Sequence, residues 1–314
     1  MVDLDVIVPT YGRPVVVNQT LRMLLDQEVL PRRVIVVNQT PGVDAADLDV
    51  QQLYRDAGLG LTWLNREVPS LCGARNDALR VARSEICLFL DDDIIAPADL
   101  VRRHWDRYRD DAGWQAVGGQ VWHRNSDFAV EDISLDAPQV GAVPALKSAR
   151  MVPGGPLFGC HFSLRRYAAL SVGGWDEAFV GSANWEEGDL INRLRDRGLP
   201  FVWDPQIWLI HLRLPMGGCR IPGNRLFPEW TKTTNFFLYK YRYPKDKIWK
   251  EVIVTALRAG PLRREIVVNP FRWPVAWLGI LKGWWIGREK AGCPVLPLAG
   301  IGTNVEQTTP QRFP

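Results

Sequence analysis

The sequence predicts an α/β fold in which flanking helices cover a Rossmann-like, mostly parallel central sheet. Short apolar runs alternate with segments of helical periodicity through the first third of the chain. Ile86–Leu90 is a run of five apolar residues, typical of a strand buried on both faces of a parallel sheet. Asp91, Asp92 and Asp93 follow it directly, and ligands of open α/β sheets collect outside the carboxyl ends of the strands. We therefore expect a ligand at this acidic turn.

The elements of the first part follow one another in a regular order. Strands are predicted at Leu4–Pro9, Arg33–Val37, Leu61–Leu64 and Ile86–Leu90, and helices at Val15–Gln27, Asp44–Ala57, Gly73–Arg83 and Ala98–Arg109. This order implies a parallel sheet with right-handed crossovers.

The alternation breaks after residue 110. A strand-like segment at Trp114–Trp122 precedes a polar and acidic passage at Arg124–Gln139, an apolar segment at Leu157–Leu164, a helix from Trp185 to Gly198, and last strands at Pro200–Trp203 and Ile207–His211. We predict two halves of one domain, over residues 1–110 and 111–243, and a helical C-terminal extension over residues 244–314.

Composition limits the classes of partner. The chain has 314 residues, a net charge of +3 and 46% hydrophobic residues, which describes a globular protein without a general polyanion-binding surface, so no nucleic acid is expected. Its five cysteines are scattered without C-x-x-C spacing, which predicts buried thiols in a reducing compartment. The N-terminus lacks the features of a signal peptide, and no apolar run reaches about 18 residues, so a cytoplasmic location is expected.

Four ordered motifs resemble glycosyltransferase family 2. They are V-I-V-P-T-Y-G-R near the N-terminus, F-L-D-D-D-I at the acidic strand, G-x-x-x-S-x-R-R at Gly159–Arg166, and G-G-W-D-E-x-F followed by W-E-E-G-D-L. The resemblance covers about Leu4–His211 and implies the GT-A fold, with a nucleotide-sugar (donor) binding half over residues 1–110 and an acceptor-binding and catalytic half over residues 111–243. It further implies an inverting transferase that moves a sugar from a nucleotide diphosphate to a hydroxyl acceptor, usually with Mn²⁺ or Mg²⁺.

A divalent ion would offset the electrostatic repulsion between the adjacent carboxylates and stabilise the negative charge on the leaving phosphate. The Asp-x-Asp spacing makes Asp91 and Asp93 candidate metal ligands, with Asp93 placed on the metal by the resemblance. His211 ends a strand-like run, where similar enzymes often place a metal-binding histidine, and imidazole favours Mn²⁺ over Mg²⁺. For Asp92, donor binding and a structural role in the turn are both open.

Inversion requires a general base that takes the proton of the acceptor hydroxyl. The family places an acid in a Glu-Asp-x-Asp pattern, which reads Glu186-Glu187-Gly188-Asp189 here, so Glu187 is the matching residue. Because this departs from the family pattern by one methylene, Glu186 and Asp189 remain competitors. Acids in a first helical turn also stabilise the helix dipole, which is the structural interpretation.

The donor pocket is expected at three loops. The resemblance implies nucleotide contacts from the turn Pro9, Thr10, Tyr11 and Arg13, and diphosphate contacts from Arg75 and Asn76, with a solvent-exposed Arg75 as the alternative. Relatives usually end their second strand in an aspartate, whereas this chain has Asn38. Since an amide can both donate to and accept from a pyrimidine, a pyrimidine nucleotide is expected.

The C-terminal extension is basic and rich in tryptophan. From Lys245 to Pro314 there are eleven Lys or Arg against five Asp or Glu, a net of +6. Trp249, Trp273, Trp277, Trp284 and Trp285 lie among these charges, and Pro261, Pro270 and Pro274 are expected to divide the segment into short helices. Such composition suits the surface of an anionic membrane, where lipid-linked acceptors reside, or packing against the catalytic domain or a second subunit.

The leading hypothesis is a glycosyltransferase that builds a surface polysaccharide or glycolipid at the inner face of the membrane, on a glycan or lipid-linked acceptor. A sugar-nucleotide nucleotidyltransferase is disfavoured because P-T-Y-G-R stands where that class has a Gly-rich, basic loop. A non-catalytic nucleotide-sugar-binding or assembly protein is the second alternative. The sequence leaves donor sugar, linkage and oligomeric state open.

Overall fold

A mixed ten-stranded sheet organises the protein, seen in a computed structural model that describes residues 1–43, 45–110, 113–125, 135, 142–218, 230–244, 273–295 and 298. The strands are β1 (Val2–Thr10), β2 (Pro31–Asn38), β3 (Gly60–Asn65), β4 (Ile86–Leu90), β5 (Ile94–Ile95), β6 (Ala116–Arg124), β7 (Ala142–Pro144), β8 (Val152–Pro153), β9 (His161–Arg165) and β10 (Phe201–His211). The helices are α1 (Pro14–Leu25), α2 (Leu48–Asp56), α3 (Leu71–Val81), α4 (Leu100–Arg109), α5 (Arg166–Ser171), α6 (Glu186–Asp196), α7 (Trp230–Arg242) and α8 (Trp273–Ala291).

Strand order along the sheet is β3-β2-β1-β4-β9-β6-β10-β5, with β7 beside β6 and β8 beside β10. The first four long strands pair in parallel, as the alternating sequence predicted, and β6 pairs in parallel with β10. Strand β9 runs antiparallel between β4 and β6 and joins the two halves into one sheet. The expected GT-A architecture is confirmed.

Apolar residues on both faces of the sheet form two core clusters. In β1, Leu4, Val6 and Val8 face the cluster under α1, α2 and α4, whereas Ile7 faces the cluster under α3, α5 and α6. All five residues of β4 are buried, so the expectation of a strand covered on both faces is confirmed. Helices on both faces hold this strand at the centre, and the acidic turn leaves the sheet at its carboxyl end.

Two predicted elements differ from the structure. Pro200–Trp203 and Ile207–His211 belong to one strand, β10, whose pairing with β6 shifts register between Asp204 and Trp208. Pro205 lies in this irregularity because a residue without an N–H interrupts a ladder there at little cost.

Pro274 does not break the C-terminal extension, because it lies in the first turn of α8, where its missing N–H is unneeded. Pro261, Pro270 and Trp249, like most of Arg124–Gln139, lie outside the described residues. In the part of the chain that is described, no helix is both long and apolar enough to cross a bilayer.

Helices α7 and α8 pack closely because glycines of α8 lie at their contact. A Cβ at Gly283 would come within 2.2 Å of the Thr233 hydroxyl, and one at Gly287 within 2.7 Å of the Thr234 carbonyl. Close approach of the two backbones therefore requires glycine at these one-turn intervals. Arg242, at the end of α7, pairs with Asp176 and Asp189 and donates to the Cys293 carbonyl at 3.2 Å, so it connects the end of α8 to α6 and the turn before it.

Candidate active site

An open cleft lies at the carboxyl ends of β1 and β4. This is the position that the strand order of an open α/β sheet favours for ligands. Residues from the turn after β1, the loops after β2 and β3, the acidic turn and the end of β10 line it: Pro9, Thr10, Tyr11, Arg13, Gln39, Pro69, Ser70, Leu71, Asp91, Asp92, Asp93, Gly181, His211 and Gly218. Sequence reasoning thus located the cleft, including the turn Pro9–Arg13.

The three aspartates of the acidic turn have different surroundings. The Asp91 side chain keeps 30% of its surface exposed, whereas Asp92 and Asp93 are buried. Asp92 accepts hydrogen bonds from the Thr10 hydroxyl at 2.6 Å and from Arg13 Nη1 at 2.8 Å. Its backbone carbonyl accepts from Thr20 Oγ1. Asp92 therefore ties the turn after β4 to the turn after β1 and to α1, which is the structural role left open by the sequence.

Asp93 is surrounded by donors. Its carboxylate lies 3.0 Å from Arg13 Nη1 and 3.2 Å from His211 Nε2, and it accepts the Leu214 N–H at 3.0 Å. Burial alone would raise the pKa of Asp93, but His211 and Arg13 outweigh burial and lower it. Asp93 is therefore held ionised beside the imidazole.

Burial raises the pKa values of the two preceding acids. For Asp91 the charge of Asp93 adds to burial, and His211 opposes both. For Asp92 burial outweighs the opposing Arg13 charge and raises the pKa to about 6. An added cation at this turn would favour the charged carboxylates and so lower these pKa values.

Arg13 connects the acidic turn to the segment after β10. Its Nε donates to the Met216 carbonyl at 2.7 Å, and Nη2 donates to the Gly217 carbonyl at 3.1 Å. Gly217 has φ of +76°, and a Cβ there would come within 2.4 Å of the Arg13 side chain, so the segment can lie this close only with glycine. Arg13 lines the cleft as predicted, but its guanidinium is bound to protein carboxylates and carbonyls.

Asp91, Cys160 and His211 each offer a ligand atom, and these atoms lie within 4.8 Å of one another. His211 Nε2 is 3.7 Å from Asp91 Oδ2, and, among the residues described, nothing hydrogen-bonds the buried Nδ1 of this ring. A carboxylate, an imidazole and a thiol together suit a divalent transition metal, and Asp93 adjoins them through the same Nε2. The two carboxylates and the imidazole fit the Mn²⁺ that the resemblance implies.

Cys160 is the residue of this group that sequence reasoning missed. Its neighbour His161 pairs with Leu90 across the antiparallel β4–β9 ladder, so Cys160 stands beside Asp91. The Asp91 N–H points to the Cys160 carbonyl at 3.4 Å. Hydrophobic periodicity indicates a strand but not its partner, so no signal in the sequence placed this thiol at the acidic turn.

The three candidate bases on α6 are held differently. Glu186 is 2% exposed and paired with Arg75, and burial, opposed by Arg75, raises its pKa to about 8. Asp189 is fully buried and bound by Arg193, Arg242 and the Tyr243 hydroxyl. These contacts fix the start of α6 on the body of the protein.

Glu187 is half-buried and makes no ion pair with any residue the structure describes. Its carboxylate lies against Gly159, where a Cβ would come within 2.2 Å of Oε1. Burial raises the pKa of Glu187, while Arg75 and the N–H groups of Glu187 and Gly159 oppose the rise. Glu187 is thus the acid of the three that combines a raised pKa with access to solvent.

Three residues predicted to bind the donor, Arg75, Asn76 and Asn38, are bonded within the protein. Arg75 is 1% exposed, donates to the Gly159 carbonyl at 2.8 Å and lies over the Trp175 ring, so the solvent-exposed alternative is wrong. The Asn76 amide bonds both backbone groups of Trp175 and supports the G-G-W-D turn. Asn76 therefore faces the protein interior, because this turn needs a side-chain partner for its backbone.

Asn38 is also used by its own loop. Its amide donates to the carbonyls of Thr40 and Val43 and accepts the Thr40 N–H at 3.0 Å. An asparagine at a strand end satisfies the backbone of the following turn first. Gln39 lines the cleft in its place, with its carbonyl accepting the Ser70 N–H at 2.6 Å.

Fold and cleft together define the class: an α/β chain of the GT-A fold with an acidic, histidine-bearing site at the carboxyl ends of its strands. The chain belongs to glycosyl transferase family 2, because the model of that family matches residues 5–169, more than half of its length. The family expected from the four motifs is confirmed.

Individual proteins are more distant. Validoxylamine A glucosyltransferase of Streptomyces hygroscopicus subsp. limoneus is 25% identical over 230 residues, a match that covers 65% of this chain and 50% of that protein. The chain therefore spans about half the length of this curated relative.

Solved structures resemble the fold at low identity. Residues 1–349 of TarS from S. aureus match with a TM-score of 0.51 and 14% identity, over 91% of this chain and 90% of that one. The mannosyltransferase PcManGT from Pyrobaculum calidifontis, solved with GDP-Man and Mn²⁺, matches with a TM-score of 0.47 and 18% identity, over 95% of this chain and 77% of that one. The TarS match supports the fold alone.

Proposed function

We propose that this chain is an inverting, metal-dependent glycosyltransferase that moves a sugar from a nucleoside diphosphate to a hydroxyl of a glycan or lipid-linked acceptor. One observation carries the proposal. Gly159 lies against the Glu187 carboxylate, and the next residue, Cys160, shares a space with Asp91 and His211. The consecutive residues Gly159 and Cys160 therefore lie beside the candidate base, Glu187, and beside the candidate metal ligands.

Each step of the proposed reaction can then be assigned to particular residues. Asp91, Asp93 and His211 would hold the divalent ion, which supplies positive charge for the departing diphosphate when bound. Glu187 accepts the proton of the acceptor hydroxyl while that oxygen forms its bond to the anomeric carbon and the bond to the phosphate oxygen breaks. Arg75 and Glu186 position Glu187 from behind, because Arg75 bonds both Glu186 and the Gly159 carbonyl.

Donor and acceptor are proposed at the level of chemical class. The turn Pro9–Arg13 and Gln39 line the part of the cleft where a nucleotide would lie. The Gln39 amide can donate to a nucleobase carbonyl, so a pyrimidine nucleotide is the donor we propose to test first.

The α8 helix supports a peripheral membrane contact during synthesis of a surface polysaccharide or glycolipid. Trp277, Leu278, Leu281 and Trp285 are 43%, 65%, 57% and 67% exposed and lie at helical spacing on one face. Lys282 is also exposed. Apolar side chains with interspersed cations suit an anionic lipid surface. Trp284 instead packs against Phe236 and Phe237, so the packing alternative applies to that tryptophan.

The test is release of nucleoside diphosphate by purified full-length protein with Mn²⁺ and a panel of uridine, cytidine, thymidine, guanosine and adenosine diphosphate sugars. We expect release with one donor, loss on EDTA treatment and recovery on adding Mn²⁺. Inverted configuration at the anomeric carbon of the product, read by NMR, tests the stereochemistry. Tight nucleotide binding without release would instead support the non-catalytic alternative.

A further inference from the structure

The Cys160 thiol stands at the candidate metal site because of the sheet itself. The antiparallel register of β9 on β4 sets Cys160 beside Asp91, and the pairing of β10 with β5 brings His211 opposite Ile94. Two independent strand pairings therefore bring sulfur, carboxylate and imidazole within 4.8 Å of one another. The proximity of the three side chains therefore follows from the strand pairings and does not depend on the rotamer of one side chain.

Cys160 also differs from the other described cysteines. Cys72 and Cys87 are fully buried in the apolar cluster under α3, and Cys293 is exposed beyond the end of α8. Cys160 keeps 8% of its surface exposed and faces Asp91 and His211. Within the described residues it is the thiol that belongs to a cluster able to bind a metal.

We propose that Cys160 is a metal ligand, so that the site it forms with Asp91 and His211 is a mixed sulfur, nitrogen and oxygen site that takes Zn²⁺, Co²⁺ or Cd²⁺ more tightly than Mg²⁺. The inference deepens the proposed function, on which its biological meaning rests. Thiolate and imidazole favour the softer divalent ions, whereas Mg²⁺ and Mn²⁺ prefer oxygen ligands. A thiol loses its proton when it coordinates such an ion.

Asp93 lies next to this site, and its carboxylate and the Cys160 sulfur are suited to different ions. One side of its carboxylate is 3.2 Å from His211 Nε2, while Arg13 and the Leu214 N–H contact Oδ2. We expect the oxygens of Asp91 and Asp93 to dominate with Mn²⁺ and the Cys160 sulfur to join with Zn²⁺ or Co²⁺. The ion supplied would then decide which ligands are used.

Co²⁺ gives a direct test, because a thiolate bound to Co²⁺ produces a charge-transfer absorption in the near ultraviolet. The metal-free full-length protein is titrated with CoCl₂ alone. We expect a saturable band at one Co²⁺ per chain in the wild type and in the matched control Cys293→Ser, and none in Cys160→Ser. A wild type without the band, or a Cys160→Ser variant that keeps it, would overturn the proposal.

Affinity provides a second readout. Loss of even an outer-shell partner lowers metal affinity about 10–100-fold, so removal of the sulfur ligand should weaken Zn²⁺ binding at least as much. In competition titrations Cys160→Ser should lose this factor for Zn²⁺ and retain wild-type affinity for Mn²⁺. Equal Zn²⁺ affinity in both proteins would contradict a sulfur ligand.

The wild type alone also tests the proposal if the variant fails to fold. Zn²⁺ should slow iodoacetamide alkylation of Cys160, followed by mass spectrometry, and leave alkylation of Cys293 unchanged. Unslowed alkylation at saturating Zn²⁺ would overturn the assignment. Sugar transfer without the Co²⁺ band would exclude Cys160 as a ligand and leave the proposed function intact. The band without transfer from any donor would support Cys160 as a ligand and contradict the proposed function.

Discussion

At the scale of single residues, Glu186, Glu187 and Asp189 differ in their surroundings. Glu187 is the candidate base, whereas the contacts of Glu186 and Asp189 fix the start of α6. Glu187→Gln keeps size and hydrogen bonding but cannot accept a proton. General-base catalysis contributes about 10²–10⁴-fold, so we expect kcat to fall by that factor while donor affinity changes little. Steady-state kinetics and isothermal titration of the donor would measure the two quantities.

Glu186→Gln is the matched control. Because Glu186 is buried in a hydrogen bond with Arg75, its replacement disturbs this buried contact and should lower the melting temperature more than kcat. Normal turnover by Glu187→Gln together with an inactive, stably folded Glu186→Gln or Asp189→Asn would move the base to that residue.

Asp93 and Asp92 form a second matched pair. Asp93→Asn removes a carboxylate beside His211, so we expect transfer to be lost and Mn²⁺ affinity to fall about 10–100-fold or more. His211→Ala should weaken Mn²⁺ affinity in the same direction. Asp92→Asn should mainly lower stability, because Asp92 bonds Thr10 and Arg13. Mn²⁺ titrations of all three variants would measure this, and wild-type turnover by Asp93→Asn, or full activity in EDTA, would refute the metal assignment.

The residues that sequence reasoning found and missed differ in how they are encoded. Asp91 and His211 follow continuous apolar runs, whose carboxyl ends could be located from periodicity alone. Cys160 reaches the site through an antiparallel pairing between distant strands, and the buried ion pair of Arg75 with Glu186 also joins distant parts of the chain. Contacts that depend on which strands become neighbours leave no local pattern.

At the scale of elements, α8 has two faces with different roles. Gly283 and Gly287 pack against α7, and the opposite face exposes Trp277, Leu281 and Trp285. We expect Leu281→Glu/Trp285→Glu to reduce sedimentation with anionic vesicles, because charge replaces the apolar surface that would enter the lipid interface. Leu48→Glu, at an 80% exposed leucine of α2, is the control and should sediment like the wild type. Equal sedimentation of all three proteins would refute the membrane contact.

Element boundaries were predicted where the local signals are strong. Helix α3 begins after Ser70, whose hydroxyl accepts the Gly73 N–H, within two residues of the predicted start. The prediction placed two strands where the structure has β10, because pairing with β6 carries the strand across the irregularity at Pro205. Tertiary pairing outweighed the local preference there.

At the scale of the whole molecule, a buried histidine pair couples stability to pH. His104 Nε2 lies 3.0 Å from His161 Nε2, and His104 Nδ1 lies 2.8 Å from the Ser163 hydroxyl. Both histidines are fully buried. Burial lowers the pKa of His161 to about 3 and also lowers that of His104, with the charge of His161 adding to the effect. The folded protein therefore keeps this pair neutral in conditions where the unfolded chain binds protons.

Stability should fall with acid as a consequence. Since the folded pKa values lie below the unfolded value of 6.5, the loss begins as the pH falls through 6.5 and continues toward about 3. Between pH 7 and pH 5 we expect His161 to cost about 2 kcal/mol of unfolding free energy and His104 to act in the same direction. Urea unfolding of the wild type and of His161→Gln at both values would measure it. A variant that loses as much stability as the wild type over this interval would disprove the role of His161.

Strand β9 has a consequence for biosynthesis. It is the partner that covers one long side of β4, yet it follows β4 in the chain only after β5, helix α4 and strands β6 to β8. Until β9 arrives, Ile86–Leu90 presents an open, wholly apolar edge, which is a template for pairing with another chain. We expect a fragment ending near residue 110 to aggregate or to exchange strands between copies, and a separately supplied segment containing His161–Arg165 to suppress this. Nascent chains that stall between these strands would therefore be targets for chaperones that shield strand edges.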